Sequence, residues 1–294
     1  MDCQFSFGPN RSYFCSAGSL YAWSENTLPI GLISLLEDAT HPQALSTPYD
    51  VAFPMEPGTY ALCWKTIRGE DWYEDGCLGP NYTRLSGFIK GVATSGGHTM
   101  RTVFGPGASY FSMSHSGCSW QNLPLALEDD ILNSINVRRP TCVALGAQRS
   151  YVVIYNDRTV TWDLHGQYPL VEATIRNAQE KNGVMYVALN PFIAGEYYAV
   201  YGDGSASWNF PTAWTKDVST ISRGIAPVAN IVSPVNPGGI AATIPRPATA
   251  APATIPHPAA APSPTAHKIT WQQGLLLGLK ATNDIAKIVQ VLGN

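Results

Sequence analysis

Residues 145–162 read LGAQRSYVVIYNDRTVTW, and the fold turns on how this stretch is read. Tyr151, Val153 and Tyr155 alternate with Val152, Ile154 and Asn156, as along a strand whose successive side chains face opposite ways. Asn156-Asp157 breaks the run with turn residues. Thr159, Val160, Thr161 and Trp162 resume it with β-branched and aromatic side chains. The reading is strand, tight turn, strand. Variants of it recur: FGPNRSYFCSAGSLYAW ends at Trp23, FPMEPGTYALCWKTIRGEDW at Trp72, FGPGASYFSMSHSGCSW at Trp120, and LNPFIAGEYYAVYGDGSASW at Trp208.

Five copies therefore align on Tyr13, Tyr60, Tyr110, Tyr151 and Tyr198, at intervals of 47, 50, 41 and 47 residues. The tryptophans follow their tyrosines by 10, 12, 10, 11 and 10 residues. A period of this length with several strands per unit is the signature of a propeller or a related array. A short apolar strand leads into each unit, at residues 3–7, 49–53, 101–104, 142–145 and 185–189. After the Trp strand comes a segment that usually opens with proline, such as Leu28-Pro29, Leu123-Pro124 and Tyr168-Pro169. Leu and Ile then fall at three- and four-residue steps, which predicts short helices over 30–38, 125–135 and 170–178. The expected class is mainly β: a five-bladed, propeller-like array of ~46-residue repeats, with three strands plus a short helix or fourth strand in each.

The pattern resembles a β-propeller repeat, and the count of five resembles the tachylectin-like, five-bladed architecture. The resemblance covers residues 3 to about 223 and is one of repeat length and number, so it implies a fold and carries no binding residues with it.

Composition narrows the function. Charged residues are 13% of the chain and the net charge is −3, with no basic block, which argues against nucleic-acid binding. No apolar run is long enough to span a membrane. The start, MDCQFSFGPN, lacks the basic and apolar regions of a signal peptide, so an intracellular, cytoplasmic location is expected. The cysteines at 3, 15, 63, 77, 118 and 142 show no CxxC spacing, and free buried thiols are expected, with a Cys63–Cys77 disulfide as the alternative.

After Arg223 the composition changes. Residues 224–267 are dominated by Ala and Pro and read as a disordered linker, in which PxxP spacing would also suit a proline-recognition domain. In residues 268–294, Trp271, Leu275, Gly278, Ile285, Val289 and Leu292 fall at helical spacing. This predicts a C-terminal amphipathic helix that meets a protein partner or another copy of the chain. The domain organisation expected is thus 1–223, 224–267 and 268–294.

No catalytic, cofactor or metal constellation stands out. The six histidines are not paired with Cys, His or carboxylates at ligand spacing, and no GxSxG, P-loop or GxGxxG is present. The repeated aromatics admit two readings. They pack between neighbouring units, or some stand exposed and stack on sugar rings. For the second, the candidate ligand-binding residues are Trp162 and Trp208 with the turn residues Asn156, Asp157 and Asp203, although turn chemistry explains those three equally well. The expectation is a non-enzymatic binding and interaction module, with a carbohydrate-binding lectin as the alternative and an enzyme on the array's central face as a third class.

Overall fold

The computed structural model describes residues 3–24, 27–75 and 78–228, those at 93–97 by backbone alone. In the C-terminal segment it describes the backbone of Ile269–Thr270 and Lys287–Gln290. The first repeat comprises β1 (Cys3–Gly8), β2 (Ser12–Ala17), β3 (Leu20–Trp23) and α1 (Ile30–Glu37). The second comprises β4 (Leu45–Ala52), β5 (Ala61–Thr66), β6 (Asp71–Glu74) and α2 (Thr83–Gly96). The third has β7 (Arg101–Gly105), β8 (Ser109–Ser114), β9 (Gly117–Gln121) and α3 (Leu125–Ser134). The fourth has β10 (Pro140–Leu145), β11 (Tyr151–Tyr155), β12 (Val160–Asp163) and α4 (Pro169–Arg176). The fifth has β13 (Val184–Leu189), β14 (Tyr197–Tyr201), β15 (Ala206–Asn209) and α5 (Thr212–Ser222).

Each repeat contributes one antiparallel meander of three strands, and the element after it is a helix in all five. Proline sets where four of the helices begin. Pro29, Pro124 and Pro211 stand at the N-cap with extended ψ of 136, 134 and 135°, and Pro169 occupies the first turn. The second repeat departs from this: its helix follows a short 3₁₀ turn at Pro80–Tyr82 and is longer.

The core is divided into five clusters, each formed by two consecutive sheets and the helix between them. Phe14 meets Leu62 and Trp64 beneath Leu32 and Leu35 of α1. Cys63 and Tyr110 meet beneath Leu85 and Ile89 of α2, and Trp120 and Tyr151 beneath Leu127 and Ile131 of α3. Val152 and Tyr197 meet beneath Val171 of α4. The fifth cluster joins the last sheet to the first, with Tyr198 and Val200 against Phe5 and Tyr13, under Trp214 and Val218 of α5. The first strands adjoin in the same order, β1 to β4, β4 to β7, β7 to β10, β10 to β13, and β13 back to β1. The five-fold repeat arrangement thus returns to its starting point.

Strand register corrects two of the sequence anchors. Tyr13, Tyr110 and Tyr151 face Phe7, Phe104 and Leu145 at the end of each first strand. In the fifth repeat that place belongs to Tyr197, opposite Leu189. Tyr198 is therefore one residue out of step, whereas Tyr60 keeps its place: it packs with Phe53 toward the preceding sheet, as Tyr13 does with Phe7. Trp23, Trp120, Trp162 and Trp208 do share one position, opposite Phe14, Phe111, Val152 and Tyr198. In the second repeat Trp72 faces Trp64 and so stands outside that position.

Residues 224–228 remain on the domain: Ile225 is buried with the fifth cluster, and the Val228 amide donates to the Gly202 carbonyl at 2.9 Å. The rest of the expected linker, residues 229–267, lies outside the described residues. So do Trp271, Leu275, Gly278, Ile285 and Leu292 of the expected amphipathic helix. The described parts of that segment are extended. Lys287–Gln290 forms a strand, β17, antiparallel to β9, and Ile269–Thr270, β16, runs parallel to it. At Val289, where a helix was expected, the chain is a strand.

Candidate binding site

Two sets of side chains recur around the array. The first lies on the inner strands and ties each sheet to the next. Gln4 of β1 spans the backbone of Val51 in β4: its Nε2 donates to the carbonyl at 2.7 Å, and its Oε1 accepts from the amide at 3.0 Å. Tyr186 of β13 does the same to Phe5 of β1, accepting from the amide and donating to the carbonyl, both at 2.9 Å. Cys142 of β10 spans Val187 of β13 through sulfur, with both contacts at 3.4 Å. Asp50 of β4 accepts from Gln4 Nε2 at 2.9 Å, and between β4 and β7 Arg101 donates to the Tyr49 carbonyl at 2.9 Å. These bonds use up polar groups on strands that would otherwise meet edge to edge in the interior.

Asp50 is the one carboxylate in this inner set, and it is fully buried. Desolvation pushes its carboxyl up, against the opposing pull of Arg101, Thr102 and Gln4. The folded chain therefore holds a proton on Asp50 at pH values where the unfolded chain has lost it. Stability should fall as pH rises from near the ordinary value of 3.8 through the raised one. Urea midpoints of the wild type and Asp50→Asn, measured from pH 3.5 to 7, should show the wild type losing ground to the variant as pH rises. The opposite trend would mean that Asp50 is held ionised by its partners.

The second set is the tryptophan position on the outer strands, for which packing between units and exposure were both open readings. Trp120 is fully buried, and its indole N–H donates to Glu128 at 3.2 Å. Trp23, Trp162 and Trp208 are only half-buried. Among the described residues, none of these three indole N–H groups reaches an acceptor. Trp23 stacks near Tyr21 at 5.8 Å, and Trp208 stands between Tyr198 at 6.3 Å and Phe210 at 5.8 Å. Trp162 has the Arg176 guanidinium 5.6 Å from its ring centre. Trp72 is exposed, and its neighbour Trp64 takes the buried place, donating to the Gln43 carbonyl at 2.9 Å.

The structure does not bring the candidate turn residues to the rings. Asn156 and Asp157 are exposed in the turn before β12, whereas Trp162 lies toward the far end of that strand. Asn156 accepts from the Arg139 amide at 3.0 Å, and Asp157 from the Thr159 amide at 2.9 Å. Asp203 accepts from the Ser205 amide at 2.8 Å and its hydroxyl at 2.6 Å, contacts that hold its carboxyl below the usual range. Asp157 and Asp203 perform turn chemistry.

The inner set was invisible in the sequence because its members differ chemically. The one signal is positional: Gln4, Arg101, Cys142 and Tyr186 each stand four residues before Gly8, Gly105, Gly146 and Asn190, where the first strands end.

Cys15, Cys63, Cys118 and Cys142 are free and buried, as expected, and Cys3 is buried; Cys77 lies outside the described residues. Burial pushes the Cys15 thiol up to about 12 and the Cys142 thiol to about 11, so neither is a ready nucleophile. Among the described residues, no group of three or more His, Cys, Asp or Glu could hold a metal ion, and no helix is long and apolar enough to cross a membrane. No family model, curated protein or solved structure matches the chain.

Proposed function

We propose that the repeat domain is a five-bladed propeller acting as a non-enzymatic interaction scaffold, with the C-terminal segment as its association element. The observation that carries this reading is the tryptophan position. One aromatic site, repeated on Trp23, Trp162 and Trp208, leaves part of a large ring and an unpaired donor at the surface of three repeats. Half-buried indoles of this kind supply contact area with one directed hydrogen bond, which suits binding rather than chemistry.

A carbohydrate ligand is the second reading, favoured by the stacked pair Trp208 and Phe210, whose planes differ by only 6°. Such a surface offers an apolar platform to a sugar ring. The two readings part on the same variants. Trp162→Ala and Trp208→Ala in the full chain should each lower ligand retention at least tenfold while costing about 1–2 kcal/mol of stability, because these rings are only half-buried. A glycan array probed with the wild type and both variants tests the carbohydrate reading. Proteins retained by the wild type and lost with the variants support the scaffold reading. Binding that survives both substitutions would rule the tryptophan position out under either one.

A further inference from the structure

A three-stranded sheet leaves the backbone N–H and C=O groups of its outer strand unpaired, a ready template for another strand. The array has five such edges, on β3, β6, β9, β12 and β15. They are not alike. β9 has five residues and each of the others four. With Lys287–Gln290 beside them, Gly117, Cys118, Ser119 and Trp120 of β9 are buried, whereas the residues of the other four outer strands are half-buried or exposed. β9 is also the edge that carries a fourth strand: Lys287, Ile288, Val289 and Gln290 face Trp120, Ser119, Cys118 and Gly117 in antiparallel register.

We propose that the outer edge of β9 is a strand-addition site and that its occupant is the chain's own C-terminal segment, Lys287–Gln290. This rests on the reading of that segment as an association element and specifies that it associates with its own domain rather than with a second chain. The sequence of the occupant suits the role, since Ile288 and Val289 are β-branched and favour an extended backbone. Four residues of pairing are too few to hold a free peptide. Attachment through the same polypeptide makes the pairing intramolecular, which makes a weak ladder sufficient. Added in this way, the segment becomes the fourth strand of the third repeat's sheet, with Ile269–Thr270 as the fifth, and removes the edge of β9 from competition by other extended chains.

The test reads the register in the full-length protein. Val289→Cys places a thiol on the Cα partner of Cys118, and Ile288→Cys places one a residue away, on the opposite face of the strand. Under mild oxidation Val289→Cys should form an intrachain 118–289 disulfide, identified by peptide mass, in at least tenfold higher yield than Ile288→Cys forms a link to Cys118. As a second measurement, Val289→Pro, which cannot donate to a ladder, should speed hydrogen exchange at amides within residues 117–120 at least tenfold. Equal yields at the two positions, links only between separate chains, or unchanged exchange in Val289→Pro would each overturn the assignment. If the assignment fails while Trp162→Ala still abolishes ligand retention, the scaffold reading stands and only the acceptor is wrong.

Discussion

Trp120→Ala is expected to cost about 3–5 kcal/mol of stability, the largest loss among the repeated tryptophans. The ring is fully buried, 6.2 Å from the stacked Phe111, and packs in the cluster that includes Leu127 and Ile131 of α3. Removing it leaves a cavity between the third and fourth sheets, and Glu128 loses the indole donor at 3.2 Å. Trp72 lies at the other extreme. It is 38% exposed and stands outside the shared position, so Trp72→Ala should cost less than about 1 kcal/mol. Urea unfolding of the two variants gives the comparison. Equal losses would mean that the four tryptophans of the shared register do not define the packing between sheets.

Ending the chain at Lys181 should abolish cooperative unfolding altogether. The deletion removes Val187, Leu189 and Tyr197 from the fourth core cluster and Tyr198, Val200, Trp214 and Val218 from the fifth. It also strips Tyr186 from the backbone of Phe5, leaving an amide and a carbonyl of β1 without their partner. Both ends of the remaining four repeats would then expose a sheet face built to be covered. In an open solenoid, loss of a terminal repeat removes one interface and stability falls by a proportionate share. A truncated chain that still unfolds in a single transition, with only such a share lost, would show that the first and last repeats do not depend on each other.

Much of this architecture was legible from residue types alone. The count of five, the three strands per repeat and the proline-led helices follow from alternation, turn residues and Leu/Ile spacing, each a local signal. What was not legible depends on register. In the second repeat two tryptophans, Trp64 and Trp72, face each other, and only strand pairing shows that Trp72 stands outside the position its counterparts share. In the fifth, two adjacent tyrosines offer two anchors, and only strand pairing shows that Tyr197 is the equivalent one. The inner set of Gln4, Asp50, Cys142 and Tyr186 could not be seen as a set, because an amide, a carboxylate, a thiol and a phenol do the same work on the neighbouring strand.

The candidate site was half legible. Trp162 and Trp208 do share a partly exposed position, while Asp157 and Asp203 bond within their own turns and Asn156 accepts from the Arg139 amide ahead of β10. The C-terminal stretch shows how a pattern can serve two structures. Apolar residues at three- and four-residue steps read as a helix over 268–294, yet the local Ile288-Val289 pair is also a strand former, and Lys287–Gln290 pairs with β9.

The central claim is that the fifth repeat packs against the first. The most direct measurement is the nuclear Overhauser effect between aromatic rings in protein labelled selectively at Phe and Tyr. Phe5 of β1 lies 4.9 Å from Tyr198 of β14, ring centre to ring centre, across a separation of nearly the whole domain. Cross-peaks between these two rings, assigned by their loss in Phe5→Leu and in Tyr198→Leu, are the predicted result. A folded protein with strong intra-repeat cross-peaks and none between Phe5 and Tyr198 would contradict the closure of the array.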